Sequence, residues 1–249
     1  MKKTILSSPL EPHFTSPEPS APNGSLRVLF ARPVIPPSRF ALAGGSAWDR
    51  LYTALNRALA ALLILLLSPL LAWIAWRIAR VDGRPVTFAH YRVGQRGQMF
   101  RCFKFRSMVR DADAVLAELL RADPMARAEW ERDHKLRNDP RITPIGQLLR
   151  RTSLDELPQL FNVLRGDMHF VGPRPVTLVE LGRYGADKRH YLSVKPGLTG
   201  LWQVSGRNNT SYQRRVHFDR TYVESRNPLV DGWLMLRTVK VLITREGAS

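Results

Sequence analysis

Residues Ala58 to Trp76 read ALAALLILLLSPLLAWIAW, and this stretch decides the architecture of the chain. Apart from two indole N–H groups, Ser68 is its only hydrogen-bonding side chain. As a helix rising about 1.5 Å per residue it would be about 28 Å long, close to the hydrocarbon thickness of a bilayer. A domain of ordinary size rarely encloses a helix that is apolar all round, so a membrane is the expected surrounding and a buried soluble helix the competing one. Pro69, near the middle, removes a backbone hydrogen bond and predicts a kink. Arg50 and Arg57 precede the stretch, and Arg77, Arg80, Arg84 and Arg92 follow it. A spanning helix should have one flank poor in Lys and Arg. Two basic flanks around Ser68 and Pro69 instead fit a re-entrant helical hairpin that enters and leaves by one leaflet, with a single-pass span as the alternative.

Outward from this helix the chain divides into unequal parts. Eight of the 18 prolines fall in the first 37 of the 249 residues, in a Ser- and Pro-rich stretch without periodicity. Residues 1–47 therefore read as a disordered tail, and they lack the apolar core of a secretory signal. Residues 48–80 form the re-entrant membrane helix, and 81–249 a catalytic-sized domain that is mostly helical with a small sheet, an α/β class. Strands are expected at Val86 to Phe88 and Phe100 to Phe105 around a turn at Gly94 to Gly97. Helices are expected at Ala112 to Leu120, Met125 to Leu136, Ile145 to Leu149, Ser153 to Leu164, Ser211 to Glu224 and Leu229 to Ile243. The last carries Trp233, Arg237 and Lys240, which suits the plane of a membrane interface; a core helix is the alternative.

Charge narrows the partners. Lys and Arg number 38 against 21 Asp and Glu, a formal net charge of +17, so the partner should be nucleic acid, an anionic membrane or a phosphorylated substrate. The single cysteine, Cys102, excludes an intramolecular disulfide framework and a Cys-rich zinc site. The six histidines lack metal-ligand spacing and read as structural or surface groups.

Four segments concentrate chemistry. Arg84 to Arg110 holds seven basic residues and no acid, with Arg101, Lys104, Arg106 and Arg110 interleaved among Phe100, Phe103, Phe105 and Met108. It could serve nucleic acid, headgroups or a nucleotide diphosphate. Ser153 to Pro158, SLDELP, places Asp155 beside Glu156. The plain reading is a helix-capping box made by Ser153 and Glu156; the functional one is a carboxylate that attacks phosphorus beside one that holds a metal. In Val171 to Pro175, VGPRP, two prolines stiffen the presentation of Arg174, either to a phosphate or to a structural partner such as Asp167. Lys195 to Asn208, KPGLTGLWQVSGRN, offers glycines for close approach to a ligand and Arg207 for phosphate, or else a plain turn. Phosphate loops of the Walker type, dinucleotide glycine fingerprints, H-E-x-x-H and G-x-S-x-G are absent.

Together LLLSPL (Leu65 to Leu70), FKFRSM (Phe103 to Met108), SLDELPQLFNVLRGDM (Ser153 to Met168), VGPRP and KPGLTGLWQVSGRN closely resemble the bacterial sugar transferases, the monotopic polyprenyl-phosphate phosphoglycosyl transferases. The resemblance covers about residue 50 to the end, and SGRNNTSY (Ser205 to Tyr212) looks most like the exopolysaccharide galactose-phosphate members. It implies transfer of hexose 1-phosphate from a UDP-hexose to undecaprenyl phosphate with release of UMP, on the cytoplasmic face of a bacterial inner membrane. By the same resemblance Asp155 is the nucleophile, Glu156 its partner, and the two carboxylates are the Mg²⁺ ligands. Lys104, Arg150, Arg174 and Arg207 match the cations around the phosphates, and Ser68 and Pro69 the re-entrant break. Anionic lipids are expected partners, nucleic acid is not, and a homodimer is left open.

Two places depart from the family pattern. Tyr52 and Thr53 stand where a Lys-Arg pair is usual, with Asn56 in place of Asp, and His169 stands where a small residue is usual. The second could tune the site. Glucose or a modified hexose as the transferred sugar, and a non-enzymatic basic protein anchored at a membrane, are the alternatives.

Overall fold

The computed structural model describes residues 47–133, 136–205 and 211–244. The expected tail therefore lies, but for Ala47, outside the described residues. The first element, α1 (Ala47–Asp82), is one helix of 36 residues with Pro69 inside it. Where two limbs of a hairpin were expected, the helix runs on through Ser68 and Pro69. Its continuity has a local cause: Pro69 cannot donate to the Leu65 carbonyl one turn back, and the Ser68 hydroxyl donates to it instead, at 2.8 Å.

Among the described residues α1 is the one helix long and apolar enough to cross a membrane, and only 17% of its most apolar window is buried. Leu55, Leu62, Leu65, Leu66, Trp73 and Trp76 are exposed. Such a row of large apolar side chains needs a non-aqueous surrounding. The opposite stripe faces the rest of the protein on both sides of Pro69. Ala60, Leu63, Ile64 and Leu67 pack with Phe100, Leu160, Val163 and Met168. Beyond the proline, Leu70, Leu71, Ile74 and Ile78 pack with Phe105, Ile145 and Leu149.

Each end of α1 is also tied by polar bonds. Near its start, Asn56 Oδ1 accepts from the buried Phe170 N–H at 2.9 Å, and Arg57 Nε donates to the Leu164 carbonyl at 2.8 Å. At its end the buried Arg106 guanidinium donates to the Asp82 and Gly83 carbonyls at 2.9 and 2.8 Å and pairs with the Asp82 carboxylate. A cation at a helix C-terminus meets both the orphan carbonyls and the helix dipole.

Strands β1 (Thr87–Val93) and β2 (Met99–Phe105) form an antiparallel hairpin that pairs Thr87 with Phe105 and Val93 with Met99. The first strand is longer than expected because most of its side chains are exposed, which leaves no apolar alternation to read. There follow α2 (Ala112–Ala122), α3 (Pro124–Asp133), α4 (Pro144–Thr152) and, after a turn, α5 (Gln159–Arg165). Short parallel strands β3 (His169–Val171) and β4 (Gly197–Thr199) flank α6 (Leu178–Gly182) and α7 (Lys188–Ser193). The chain closes with α8 (Leu201–Val204), α9 (Tyr212–Ser225) and α10 (Pro228–Thr244). The last helix meets both expectations at once: Leu234 and Val241 are buried, while Leu229, Trp233, Leu236 and Val239 are exposed.

The glycines of VGPRP and KPGLTG are required by one another. A Cβ on Gly172 would lie 2.6 Å from the Lys195 carbonyl, and one on Gly197 would lie 2.1 Å from the Gly172 nitrogen. The close approach inferred for a ligand is thus a backbone crossing between β3 and β4, which brings the two motifs together. The departures at Tyr52, Thr53 and His169 likewise meet. Thr53 Oγ1 and His169 Nε2 share a hydrogen bond of 3.1 Å, and the Tyr52 ring stands edge-on to the imidazole at 4.9 Å. Tyr52 also donates to Asp231, which accepts from Tyr222 at 2.8 Å. Burial first, then Lys195 and Arg226, push His169 down to about 3, so it stands neutral against α1.

Behind the site, Asp219 of α9 is 2% exposed and accepts from the Tyr184 hydroxyl at 2.7 Å. Burial pushes its carboxyl up to about 6, against a pull downward from Tyr184 and Arg215. A folded-state value above the unfolded one means that the contribution of Asp219 to stability is fully present below about pH 4 and is lost as pH rises through about 6. Asp219→Asn, which keeps the acceptor for Tyr184, should therefore raise the thermal midpoint in detergent at pH 8, with the gain vanishing at pH 4. An equal or lower midpoint at pH 8 would contradict this.

Candidate active site

Helix α4 begins at Thr143, whose hydroxyl accepts from the Gly146 N–H at 3.0 Å, with Pro144 in its first turn. It ends at Ser153, a left-handed residue with φ 57°. A single 3₁₀ turn, Leu154–Glu156, follows before α5 starts after Pro158. The expected continuous helix from Ser153 to Leu164 is thus broken, and Ser153 makes no side-chain cap. The capping-box reading of S-x-x-E fails here for a tertiary reason. Leu154 and Leu157 turn into the core beside Ile145 and Leu149, which leaves Glu156 facing the cleft and Asp155 buried beside it.

Asp155 is 8% exposed. Lys104 reaches it from β2, with Nζ 3.5 Å from Asp155 Oδ2 and 2.7 Å from Glu156 Oε1. Arg174 approaches from the VGPRP segment, its Nη1 3.6 Å from Glu156 Oε1. Asp167, the alternative partner of Arg174, instead accepts from Asn162 Nδ2 at 3.2 Å. Arg150, at the end of α4, donates through Nε to Ser107 Oγ at 2.8 Å, and its charge is felt at Asp155. Burial holds Asp155 above the usual aspartate range. Glu156 adds to that effect, while Lys104 and Arg150 oppose it. Of the sequence-expected groups, the structure brings together Asp155, Glu156, Lys104, Arg150 and Arg174. Arg207 lies outside the described residues.

The rest of the basic stretch divides by role. Arg106 closes α1, Arg110 donates to the Arg84 carbonyl, and Arg101 lies over Phe103 at 5.8 Å. The position of Lys104 depends on a group that the sequence reading passed over. Asn162 of α5, fully buried, donates to the Arg101 carbonyl at 2.7 Å and accepts from the Phe103 N–H at 3.0 Å. It satisfies the open edge of β2 and joins that strand to the helix that follows the two carboxylates. Arg174 is steadied from the other side by the Trp202 ring at 5.7 Å, which Arg215 also faces at 4.7 Å.

A small cleft opens at Glu156, lined by Arg92, Cys102, Lys104, Gln159, Arg174, Pro175, Leu198 and Gln203. Burial pushes the Cys102 thiol up to about 11, which rules it out as a ready nucleophile. Gln159 and Gln203 were not singled out from sequence, and Arg92 was read as a basic flank of the apolar helix. Gln159 had one signal, a polar residue in the apolar run LPQLF four positions after Asp155, whereas Arg92 and Gln203 arrive by tertiary contact alone. Among the described residues no three His, Cys, Asp or Glu side chains converge as a metal cage. Asp155 and Glu156 nevertheless suit a hard cation that takes its remaining oxygens from phosphate and water, as Mg²⁺ does.

A buried carboxylate bracketed by an ammonium and two guanidinium groups is equipped to meet phosphate. Comparison with known proteins agrees with the family suggested by the motifs. The undecaprenyl-phosphate galactose phosphotransferase of Salmonella typhimurium is 53% identical over 187 residues, covering 75% of this chain and 39% of that protein. The UDP-galactose-lipid carrier transferase of Erwinia amylovora is 53% identical over 186 residues, 75% of this chain and 39% of its own length. The exopolysaccharide production protein ExoY of Rhizobium meliloti is 46% identical over 189 residues, 76% of this chain and 84% of its own. The chain thus spans about two fifths of the first two relatives and most of the third. The family model described as bacterial sugar transferase matches residues 48–245, and the chain belongs to that family.

Proposed function

We propose that this protein transfers a hexose 1-phosphate, galactose 1-phosphate in the first instance, from a UDP-hexose to undecaprenyl phosphate, as the first membrane step of exopolysaccharide synthesis. One observation carries the reading: the buried Asp155 carboxylate, set among Lys104, Arg150 and Arg174, lies in a domain docked along an exposed apolar helix. A soluble nucleotide sugar and a lipid phosphate both bring negative charge to such a site, and fixed cations offset the repulsion before a carboxylate can approach phosphorus. The names of the similar proteins support both the lipid carrier and galactose.

Two displacements account for the exchange. Asp155 attacks the phosphorus attached to the sugar; the bond to the bridging oxygen breaks and UMP leaves with its electron pair. The undecaprenyl phosphate oxygen then attacks the same phosphorus and returns the carboxylate. Covalent catalysis lets the two anionic substrates bind in turn. Lys104, Arg150 and Arg174 neutralise the phosphates, and Lys104 opposes the upward push of burial on the Asp155 carboxyl. Asp155 and Glu156 would hold Mg²⁺, whose charge would stabilise the departing phosphate.

The same reading places the protein on the cytoplasmic face of the inner membrane, among anionic lipids, with α1 bending at Pro69 so that it enters and leaves by that face. Its support is the docking of α1 to one domain on both sides of Pro69. A straight span would carry one of those contacts through the bilayer. Trp233 and Leu236 of α10 add an exposed apolar surface for the interface.

Three outcomes are expected. Asp155→Asn should lower UMP release from UDP-galactose and undecaprenyl phosphate by at least about a thousandfold while the protein still inserts; full turnover by that variant would refute the assignment. UDP-glucose in the same assay tests the sugar. Because only ionised Asp155 attacks and its carboxyl sits above the usual range, activity should fall on the acid side above the pH of an ordinary aspartate. Lys104→Met should move that limb to higher pH and Glu156→Gln to lower pH, and an unmoved limb in both would count against the electrostatics. Labelling cysteines introduced before Trp48 and after Asp82 should find both accessible from the cytoplasm only; one on each side would exclude the re-entrant topology.

A further inference from the structure

Gln159 opens α5, four residues after Asp155 and three after Glu156, and is 3% exposed. Its side chain lines the cleft with Lys104, Glu156 and Arg174. Among the described residues the Gln159 carboxamide makes no hydrogen bond. The contrast with Asn162, one turn further along the same helix, is direct: that buried amide is engaged by Arg101, Phe103 and Asp167. The polar atoms of Gln159 have no protein partner among the described residues and reach the cleft, so whatever fills the cleft meets them.

The chemistry of that partner follows from what surrounds the amide. Lys104, Arg150 and Arg174 already offer cations to phosphate oxygens, which only accept hydrogen bonds. A neutral carboxamide both donates and accepts, and so does a hydroxyl. The hydroxyls nearest the phosphorus that Asp155 attacks belong to the transferred sugar. Resting on the transfer reading above, we propose that Gln159 hydrogen-bonds a hydroxyl of the transferred hexose and is a specificity-determining residue. Removing one partner of such a bond leaves the other buried and unpaired, which is how a polar site rejects a sugar lacking that hydroxyl.

The test is a cycle between protein and donor. Wild type, Gln159→Leu and Gln159→Glu, each full length in membranes, are assayed for UMP release with the preferred UDP-hexose and with its monodeoxy analogues, and for inhibition by UMP. In wild type, one deoxy donor should lose about tenfold or more in kcat/KM; in Gln159→Leu that donor and the parent should be used equally, while inhibition by UMP is unchanged. Gln159→Glu, which keeps the shape and an acceptor but loses the N–H donors, should show a smaller collapse of the same ratio. Equal losses for every donor in both variants, or no loss in either, would overturn the assignment of Gln159 alone. Wild type that releases no UMP from any UDP-hexose would overturn the transfer reading and this inference with it.

Discussion

Lys104 sits between two adjacent carboxylates, one of them buried, and much of the structure serves to keep it there. Asp155 and Glu156 repel each other when both are ionised, and burial adds a further cost to the Asp155 charge. The Lys104 ammonium, 2.7 Å from Glu156 and 3.5 Å from Asp155, offsets both. An interaction of this kind depends on distance, so β2 must hold its register against the turn that bears the acids. Asn162 does this by bonding to the edge of β2 from the helix that directly follows them.

The membrane helix belongs to the same construction. Its buried stripe packs on α5, β2 and α4, the elements that carry Gln159, Lys104 and Arg150. Its first turns are joined to β3 through Asn56 and Phe170, and its last to the chain just after β2 through Arg106. The apolar helix and the carboxylate site therefore form one packed body. The position of the two carboxylates relative to α1 is thus set by side-chain packing rather than by a linker.

Parts of this arrangement were legible in sequence and parts were not, for identifiable reasons. The apolar run of α1, the strand Phe100 to Phe105 and the helices at both ends carry strong periodicity or composition, which survives without knowledge of neighbours. The S-x-x-E pattern at Ser153 misled because the same four residues that cap an isolated helix here straddle a break forced by Leu154 and Leu157 turning into the core. The glycines of KPGLTG invited a ligand, yet what approaches them is the backbone of VGPRP. The departures at Tyr52 and His169 looked independent at a separation of over a hundred residues and proved to be one contact.

Sequence by itself determined the long apolar helix, the charge and the family, because hydropathy, net charge and a dense set of motifs are properties of order along the chain. Tertiary structure alone decided which of many cations face Asp155. It gave Arg174 to Glu156 rather than to Asp167, and it assigned Arg106 to the end of α1. It left the Gln159 amide turned to the cleft. Those choices depend on distances of a few ångströms between residues far apart in sequence, and only packing sets them.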